Sequence, residues 1–206
     1  MRGRRFRSRR RTGDDAAIGR LAAEHLLAKP LDHLAFFGPP TSAARRDVFT
    51  QEARRAGRDV EIINSEGLWG EALAERLREL PKHCGVFAFN DDLGSQIIRA
   101  ARELDIPMPQ DLAVVGCDDD SLINAFSAVS LTSIDPDFRR VGHEAARVLD
   151  AMLHGAPPPD EPIRIPPKGL IERNSSDFPR EADELVVRAA RMVRDRACKG
   201  LTVEQV

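Results

Sequence analysis

The sequence predicts an α/β domain built on a doubly wound, mostly parallel sheet. Short apolar segments typical of strands alternate with amphipathic segments of about 10 to 15 residues that have helical spacing. Two of the strand segments, 84–89 and 112–116, are almost entirely apolar, as expected for strands covered on both faces. These observations favour successive β-α-β units, whose right-handed crossovers place helices on both sides of one sheet.

Each element is predicted from its apolar spacing and from the residues that begin or end it. The acidic pair Asp14–Asp15 opens the first helix, and Thr41 or Ser42 is expected to cap the second. The third helix is assigned from an apolar stripe that starts at Trp69, and the fourth opens at 90–92. The predicted helices are about 14–29, 41–57, 69–80, 90–104, 137–154 and 180–197, and the strands are 33–37, 60–63, 84–89, 112–116, 130–134, 163–165 and 169–171.

Charge is unevenly distributed along the 206 residues, whose formal net charge is −2. Seven of the first eleven residues are Arg, which leaves 24 basic against 33 acidic side chains, a net charge of −9, in the remainder. An acidic body argues against a nucleic-acid surface that covers the whole domain. The three cysteines are widely spaced and form no CxxC pair, and no long apolar segment follows the basic start. We therefore expect reduced thiols, a cytoplasmic protein, and no metal or cofactor.

Polar residues gather where three predicted strands end. Gly38 closes the first strand, with Arg45 about one helical turn into the following helix; 90–92 and 118–121 close two others. In an open parallel sheet these ends share one edge, where ligands bind. Carboxylates, an amide and a guanidinium together suit a ligand with several hydroxyl groups. The same residue types also fit helix caps and turns, a magnesium site for phosphoryl transfer, or a general acid/base pair.

These residues resemble the effector-binding domain of LacI/GalR-type transcription regulators, which is a periplasmic-binding-protein-like fold. Arg45 with Phe49 resembles the family's SxxRxxGF segment, Asn90-Asp91 its ND segment, and 114–119 its VxGxDD segment; 131–142 is similar to LTTIxQDFxxxG. The resemblance implies that the sugar is contacted by Arg45, by Asn90 or Asp91, and by Asp118. Val48 stands where the family has Gly, and Pro136 where many members have Gln.

The end of the chain resembles a different family. Residues 190–206 are similar to the opening of an AraC-type DNA-binding domain, an order of domains found in xylose-responsive regulators of the XylR type. Thr202 and Gln205 have the spacing of a capping box, which marks a helix start, and the sequence stops before a recognition helix. The resemblance implies a monosaccharide effector such as D-xylose, a homodimer, and DNA binding through the absent C-terminal domain.

Three segments are expected: an Arg-rich, disordered tail at 1–13, a partial effector-binding domain at 14–177, and a linker with the first helix of a truncated DNA-binding domain at 178–206. The same resemblance implies that most of the N-terminal lobe is missing from this chain, and we therefore expect it to be a fragment. The helix 137–154 would belong to that lobe, which leaves its apolar stripe partly uncovered.

The leading hypothesis is therefore a non-enzymatic, sugar-sensing domain of a transcription regulator, from which we expect weak sugar binding and no specific DNA binding by this chain alone. One alternative is a transport-type sugar-binding protein of the same architecture. A less favoured alternative is a metal-dependent enzyme that uses the aspartates at the strand ends.

Overall fold

The computed structural model describes residues 12–178. Its elements follow the predicted alternation of strands and helices, with a short 3-10 turn at Pro40–Ser42 before α2. The predictions for the Arg-rich residues 1–11, the helix 180–197 and the capping box at Thr202 lie outside these residues. The helices are α1 Asp15–Leu27, α2 Ala43–Arg55, α3 Glu71–Glu79, α4 Asp91–Glu103, α5 Ser121–Phe126 and α6 Phe138–Leu153; the strands are β1 Thr12–Gly13, β2 His33–Gly38, β3 Val60–Asn64, β4 Cys84–Ala88, β5 Leu112–Cys117, β6 Thr132–Asp135, β7 Arg164–Ile165 and β8 Gly169–Ile171.

The main sheet has six strands in the order β3-β2-β4-β5-β6-β8. All neighbours are parallel except β6 and β8, which are antiparallel. This confirms the predicted α/β fold with a mostly parallel, doubly wound sheet. The chain moves from β2 outward to β3 and then returns to β4 on the other side of β2, so the winding direction reverses between β2 and β4. Ligands of such sheets bind beyond the carboxyl ends of the strands next to this reversal.

Two hydrophobic clusters cover the two faces of the sheet. Adjacent residues of β2 contribute to opposite clusters, Phe36 to one and Phe37 to the other, because side chains alternate along a strand. Helices α1 and α2 cover the first face, where the rings of Phe36, Phe49 and Phe87 pack with centroids 5.2 to 6.4 Å apart. Helices α3 and α4 cover the second face through Leu73, Leu77, Ile97 and Ile98.

Several sequence predictions differ from the structure in detail. Trp69 lies before α3 and is 73% exposed, so the apolar stripe of that helix consists of Leu73, Ala74 and Leu77 instead. Ser42 occupies the N-cap position of α2, but its hydroxyl donates to the Pro39 carbonyl rather than capping the helix. Helix α5 was not predicted, and Thr12–Gly13, which the sequence assigned to the tail, pairs with β7.

Helix α6 is largely exposed to solvent. None of its 16 residues is buried, and exposed apolar side chains lie along it, in agreement with the uncovered stripe expected for this helix: Phe138, Leu149, Met152 and Leu153. Among the residues that the structure describes, no helix is both long and apolar enough to cross a membrane.

The segment after β8 is hydrogen-bonded into the sheet. The hydroxyl of Ser175 donates to the Val114 carbonyl (2.6 Å), and the N–H of Val114 donates to the Ser175 carbonyl (2.9 Å). Ser175 and Ser176 are both fully buried. Residues 173–176, which include a turn, therefore fasten the chain after β8 to β5 and to the start of β6.

Helices α1 and α2 approach closely at Gly19. A Cβ atom at this position would lie 2.4 Å from the backbone oxygen of Arg45 and 3.2 Å from the backbone nitrogen of Phe49. Both contacts are with backbone atoms, so a larger residue requires one helix to move. The glycine thus fixes how closely α2, which carries Arg45, lies against α1.

We expect Gly19→Ala to lower the free energy of unfolding by about 1–3 kcal/mol, because the added methyl group overpacks this helix contact. Chemical denaturation monitored by circular dichroism measures the change. Gly142→Ala is the matched control: nothing lies within 4 Å of a Cβ there, so the better helix propensity of Ala should leave stability equal or slightly higher. Equal stability of the two variants would contradict the close approach.

Candidate functional site

The carboxyl ends of strands β2, β4, β5 and β6 lie at one edge of the sheet, here called the rim. It comprises Arg45 at the start of α2, Phe89–Asp91 after β4, 118–120 after β5, and 135–137 after β6. All four strands are parallel, so their carboxyl ends lie at the same edge. The structure therefore brings the sequence-predicted residues to a common edge.

Arg45 is held in one orientation by three partners. Its Nε and Nη2 donate to the same oxygen of Asp15, at 3.0 and 2.7 Å, and its Nη1 donates to the Phe89 carbonyl. The guanidinium carbon lies 4.5 Å from the centre of the Phe89 ring, which is a cation–π contact. Only 9% of the residue is exposed. Such a fixed guanidinium can donate to a ligand with little loss of conformational entropy.

Asn90 caps helix α4 and keeps its amide nitrogen available. Its Oδ1 accepts a hydrogen bond from the backbone N–H of Leu93 at 3.0 Å. This bond fixes the amide plane and leaves the NH₂ group without a hydrogen-bond partner within residues 12–178. Asn90 can therefore donate to an oxygen of a ligand at the rim.

Asp91, in contrast, points into the protein and is completely buried. Its two oxygens accept hydrogen bonds from the hydroxyl of Ser133 (2.6 Å) and from the backbone N–H of Asp120 (2.8 Å). Burial raises the pKa of Asp91, although these two hydrogen bonds act in the opposite direction. A Cβ at Gly116 would lie 2.2 Å from one of these oxygens, so the carboxylate fits only against a glycine. Asp91 thus stabilises the loop after β5 from its buried side.

The three consecutive aspartates after β5 have different partners. Asp119 accepts from the guanidinium of Arg173 at 2.6 Å, and Asp120 caps α5 by accepting from the N–H groups of Leu122 and Ile123. Within residues 12–178, the carboxylate of Asp118 accepts no hydrogen bond. Of the three, Asp118 alone has both carboxylate oxygens without a hydrogen bond within these residues, whereas Asp119 and Asp120 each use one oxygen.

The electrostatics and backbone of Asp118 are unusual. Burial raises its pKa to about 6, the nearby charge of Asp91 adds to this effect, and Arg45 opposes it. Its φ of 131° lies in a region that residues other than glycine rarely adopt, and Asp119 follows with a φ of 51°. Because such strain costs about 1–3 kcal/mol, it persists only where surrounding contacts impose it. Here the Asp118 N–H donates to the Ile134 carbonyl at 3.0 Å.

Three residues that support the rim were not identified from the sequence. Asp15 was interpreted only as a helix-opening charge, Phe89 only as part of a buried strand, and Arg173 was not singled out. Their partners lie 30 to 54 positions away along the chain, so no local motif indicates them.

After β6, Pro136 is buried, and the neighbouring carboxylates contact Lys168: its Nζ lies 2.8 Å from Asp135 and 3.6 Å from Asp137. A proline side chain offers no hydrogen bond to a ligand. In the described part of the chain, no group of three or more His, Cys, Asp or Glu side chains is arranged to hold a metal ion.

Comparison with known proteins finds a matching family model and several relatives of this chain. A family model described as a periplasmic binding protein-like domain matches residues 23–176. The xylose operon regulatory protein of Escherichia coli K12 is 32% identical over 94% of this chain and 53% of its own length, and that of Haemophilus influenzae is 31% identical over the same shares. The chain spans about half the length of these curated relatives.

Solved structures give the same result for the fold. A structure of the xylose-binding transcription activator XylR superposes with a TM-score of 0.77 at 29% identity, covering 94% of this chain and 54% of that one. A LacI-family regulatory protein from Corynebacterium glutamicum superposes with a TM-score of 0.66 at 28% identity, covering 82% and 67%. The curated relatives are named as transcriptional regulators rather than enzymes, in line with the prediction of a non-enzymatic domain.

The raised pKa of Asp118 predicts a pH-dependent stability. Its ionised form is disfavoured in the folded state, so the folded protein binds this proton more tightly and stability falls as pH rises from the unfolded pKa towards about 6. We expect Asp118→Asn to raise the free energy of unfolding by about 1–2 kcal/mol above pH 7, after allowance for solvent screening. The gain should nearly vanish below about pH 3, where Asp118 is largely protonated in both states.

Urea denaturation across this pH range measures the effect. Asp119→Asn is the control, because it weakens the ion pair with Arg173 and should lower stability above pH 7 instead. A constant difference between Asp118→Asn and the parent protein at all pH values would contradict the assignment.

Proposed function

The chain belongs to the periplasmic binding protein-like domain family, and we propose that it is the effector-sensing part of a transcription regulator that binds a monosaccharide, D-xylose or a closely related sugar. The full regulator would bind DNA through a domain C-terminal to Phe178, of which the AraC-like residues 190–206 are the start. It would act in the cytoplasm, where its DNA is.

The observation that carries this proposal is the set of free polar groups at the rim. Arg45 and Asn90 offer N–H donors from fixed positions, and Asp118 offers acceptors. Adjacent hydroxyls of a sugar each donate and accept, so they match a rim that presents both kinds of group. A carboxylate such as Asp118 forms stronger hydrogen bonds to hydroxyls than a neutral acceptor does.

The roles we assign to the four sequence-predicted residues therefore differ. Arg45, Asn90 and Asp118 are proposed to contact the sugar directly. Asp91 is proposed to act beneath them, because both of its oxygens already accept hydrogen bonds inside the protein.

The relatives support the regulator over a transport protein of the same architecture. The curated proteins that match over most of this chain are named as operon regulators. Detection of the native protein in a periplasmic fraction would favour the transport function instead.

We expect Arg45→Ala to weaken D-xylose binding by about 100-fold or more, since it removes two ligand donors and leaves Asp15 and the Phe89 carbonyl without their partner. The measurement is isothermal calorimetry against a panel of pentoses and hexoses, with ligand-observed NMR for millimolar dissociation constants. Arg46→Ala is the matched control, because Arg46 pairs with Asp47 on the exposed side of the same helix. Binding by Arg45→Ala as tight as by the parent protein would refute the site.

We also propose that the regulator is a homodimer and that the face between α4 and α5 contributes to its interface. A groove of about 720 Å³ lies there, lined by Ile98 and Leu122. The side chain of Phe126 beside it is 88% exposed. A projecting ring next to a groove on one face allows two copies to fill each other's grooves about a two-fold axis. Exposed Arg99 and Glu103 at its border can pair across the same axis.

If this face pairs two copies, Phe126→Glu should raise the dissociation constant for self-association by about tenfold or more, because it places a charge in an apolar contact. Sedimentation equilibrium over a range of concentrations measures it. Trp69→Glu alters a similarly exposed aromatic side chain (73%) elsewhere and should leave self-association unchanged. The same loss in both variants, or in neither, would argue against this interface.

A further inference from the structure

The charge of Arg45 is neutralised inside the protein. Asp15, in the first turn of α1, directs one carboxylate oxygen at both Nε and Nη2 of the guanidinium, at 3.0 and 2.7 Å. The side chain of Arg45 is 10% exposed and that of Asp15 is 36% exposed, so the pair is partly shielded from water. Ion pairs in such surroundings are screened less than surface pairs.

Arg45 nevertheless keeps donors for a ligand. A guanidinium has five N–H groups; Asp15 takes two of them and the Phe89 carbonyl takes a third. Two N–H groups are left, one on each terminal nitrogen. Arg45 thus presents two hydrogen-bond donors while Asp15 cancels its net charge.

The other charges at the rim do not compensate for this. Asp118 and the buried Asp91 add negative charge close to Arg45. Two further basic side chains contact the strand-end loops within residues 12–178, and both are already paired: Arg173 with Asp119 at 2.6 Å and Lys168 with Asp135 at 2.8 Å. Of the rim residues defined above, Arg45 is the only cation, and its charge is paired with Asp15; the exposed Arg139 and Arg140 lie beyond them in the first turn of α6.

We propose that Asp15 determines the charge class of the ligand: by neutralising Arg45, it makes the rim select uncharged sugars and reject sugar acids and sugar phosphates. This inference rests on the proposed sugar-binding function and deepens it. Asp15 acts through Arg45, so it is a positioning and specificity residue. A carboxylate or phosphate ligand would meet a guanidinium whose charge Asp15 already balances, and would also be repelled by Asp118.

The test is the Asp15→Asn variant, whose amide oxygen can still accept from Arg45 but carries no charge. Calorimetry and ligand-observed NMR at about pH 7.5, above the pKa of Asp118, would compare D-xylose with D-xylonate and D-xylose 5-phosphate. The parent protein should bind D-xylose at least about tenfold more tightly than either anion. In Asp15→Asn, affinity for the anions should rise about tenfold, and affinity for D-xylose should change less than about threefold.

Two further variants separate charge from structure. Asp47→Asn removes a charge of the same sign from the exposed Arg46–Asp47 pair on α2 and should leave the preference unchanged. Asp15→Glu keeps the charge and should keep the rejection of anions. If Asp15→Asn does not fold, as judged by circular dichroism, Asp15→Ser replaces it with the same expected result.

The outcomes distinguish the two proposals. Failure of the parent protein to bind any neutral or charged sugar would overturn the sugar-binding function itself. Binding of D-xylose by the parent, with equal affinity for D-xylonate or with no change of preference in Asp15→Asn, would overturn only the role of Asp15.

Discussion

The buried carboxylate of Asp91 is the interaction on which the rim depends. It lies at the start of α4 and joins three elements, because it accepts from Ser133 on β6 and from the N–H of Asp120 after β5. A fully buried charge is stable only while its hydrogen bonds are made, so these elements cannot separate without leaving it unpaired. The same hydroxyl of Ser133 accepts from the Asp119 N–H at 3.0 Å. The loop that carries Asp118 is therefore fixed by hydrogen bonds from the backbone N–H groups of Asp119 and Asp120. These bonds help to maintain the Asp118 backbone at a φ of 131°.

The polar groups of the rim near Asp91 are of two kinds: those that make hydrogen bonds within the protein and those that have hydrogen-bonding capacity left for a ligand. Hydrogen bonds from within the protein are accepted by the carboxylates of Asp91, Asp119 and Asp120, and by the side-chain oxygen of Asn90. What remains is the Asn90 amide nitrogen, the carboxylate of Asp118 and part of the Arg45 guanidinium. A binding surface of this kind is preorganised, since each group that faces outward is fixed by bonds that face inward.

The sequence was sufficient to predict the fold and some of the candidate site residues. Alternating apolar patterns predicted the parallel sheet, and the positions of strand ends led to Arg45, Asn90 and Asp118. Sequence could not separate Asp91 from Asn90, because both residue types fit the start of a helix and only the tertiary packing against Gly116 shows that Asp91 is buried. It also missed Asp15 and Arg173, whose partners are distant in sequence. Trp69 was misassigned to a core stripe because apolar character does not itself require burial.

The segment 173–176 connects the rim with the chain that leaves the domain. Arg173 donates a hydrogen bond to Asp119, the neighbour of Asp118. Two residues later, Ser175 is hydrogen-bonded to two strands that end at the rim. Its hydroxyl accepts from the Thr132 N–H of β6 and donates to the Val114 carbonyl of β5. Because Arg173 and Ser175 are only two residues apart, a shift of this segment would disturb the ion pair at Asp119 and the hydrogen bonds to β5 and β6 together.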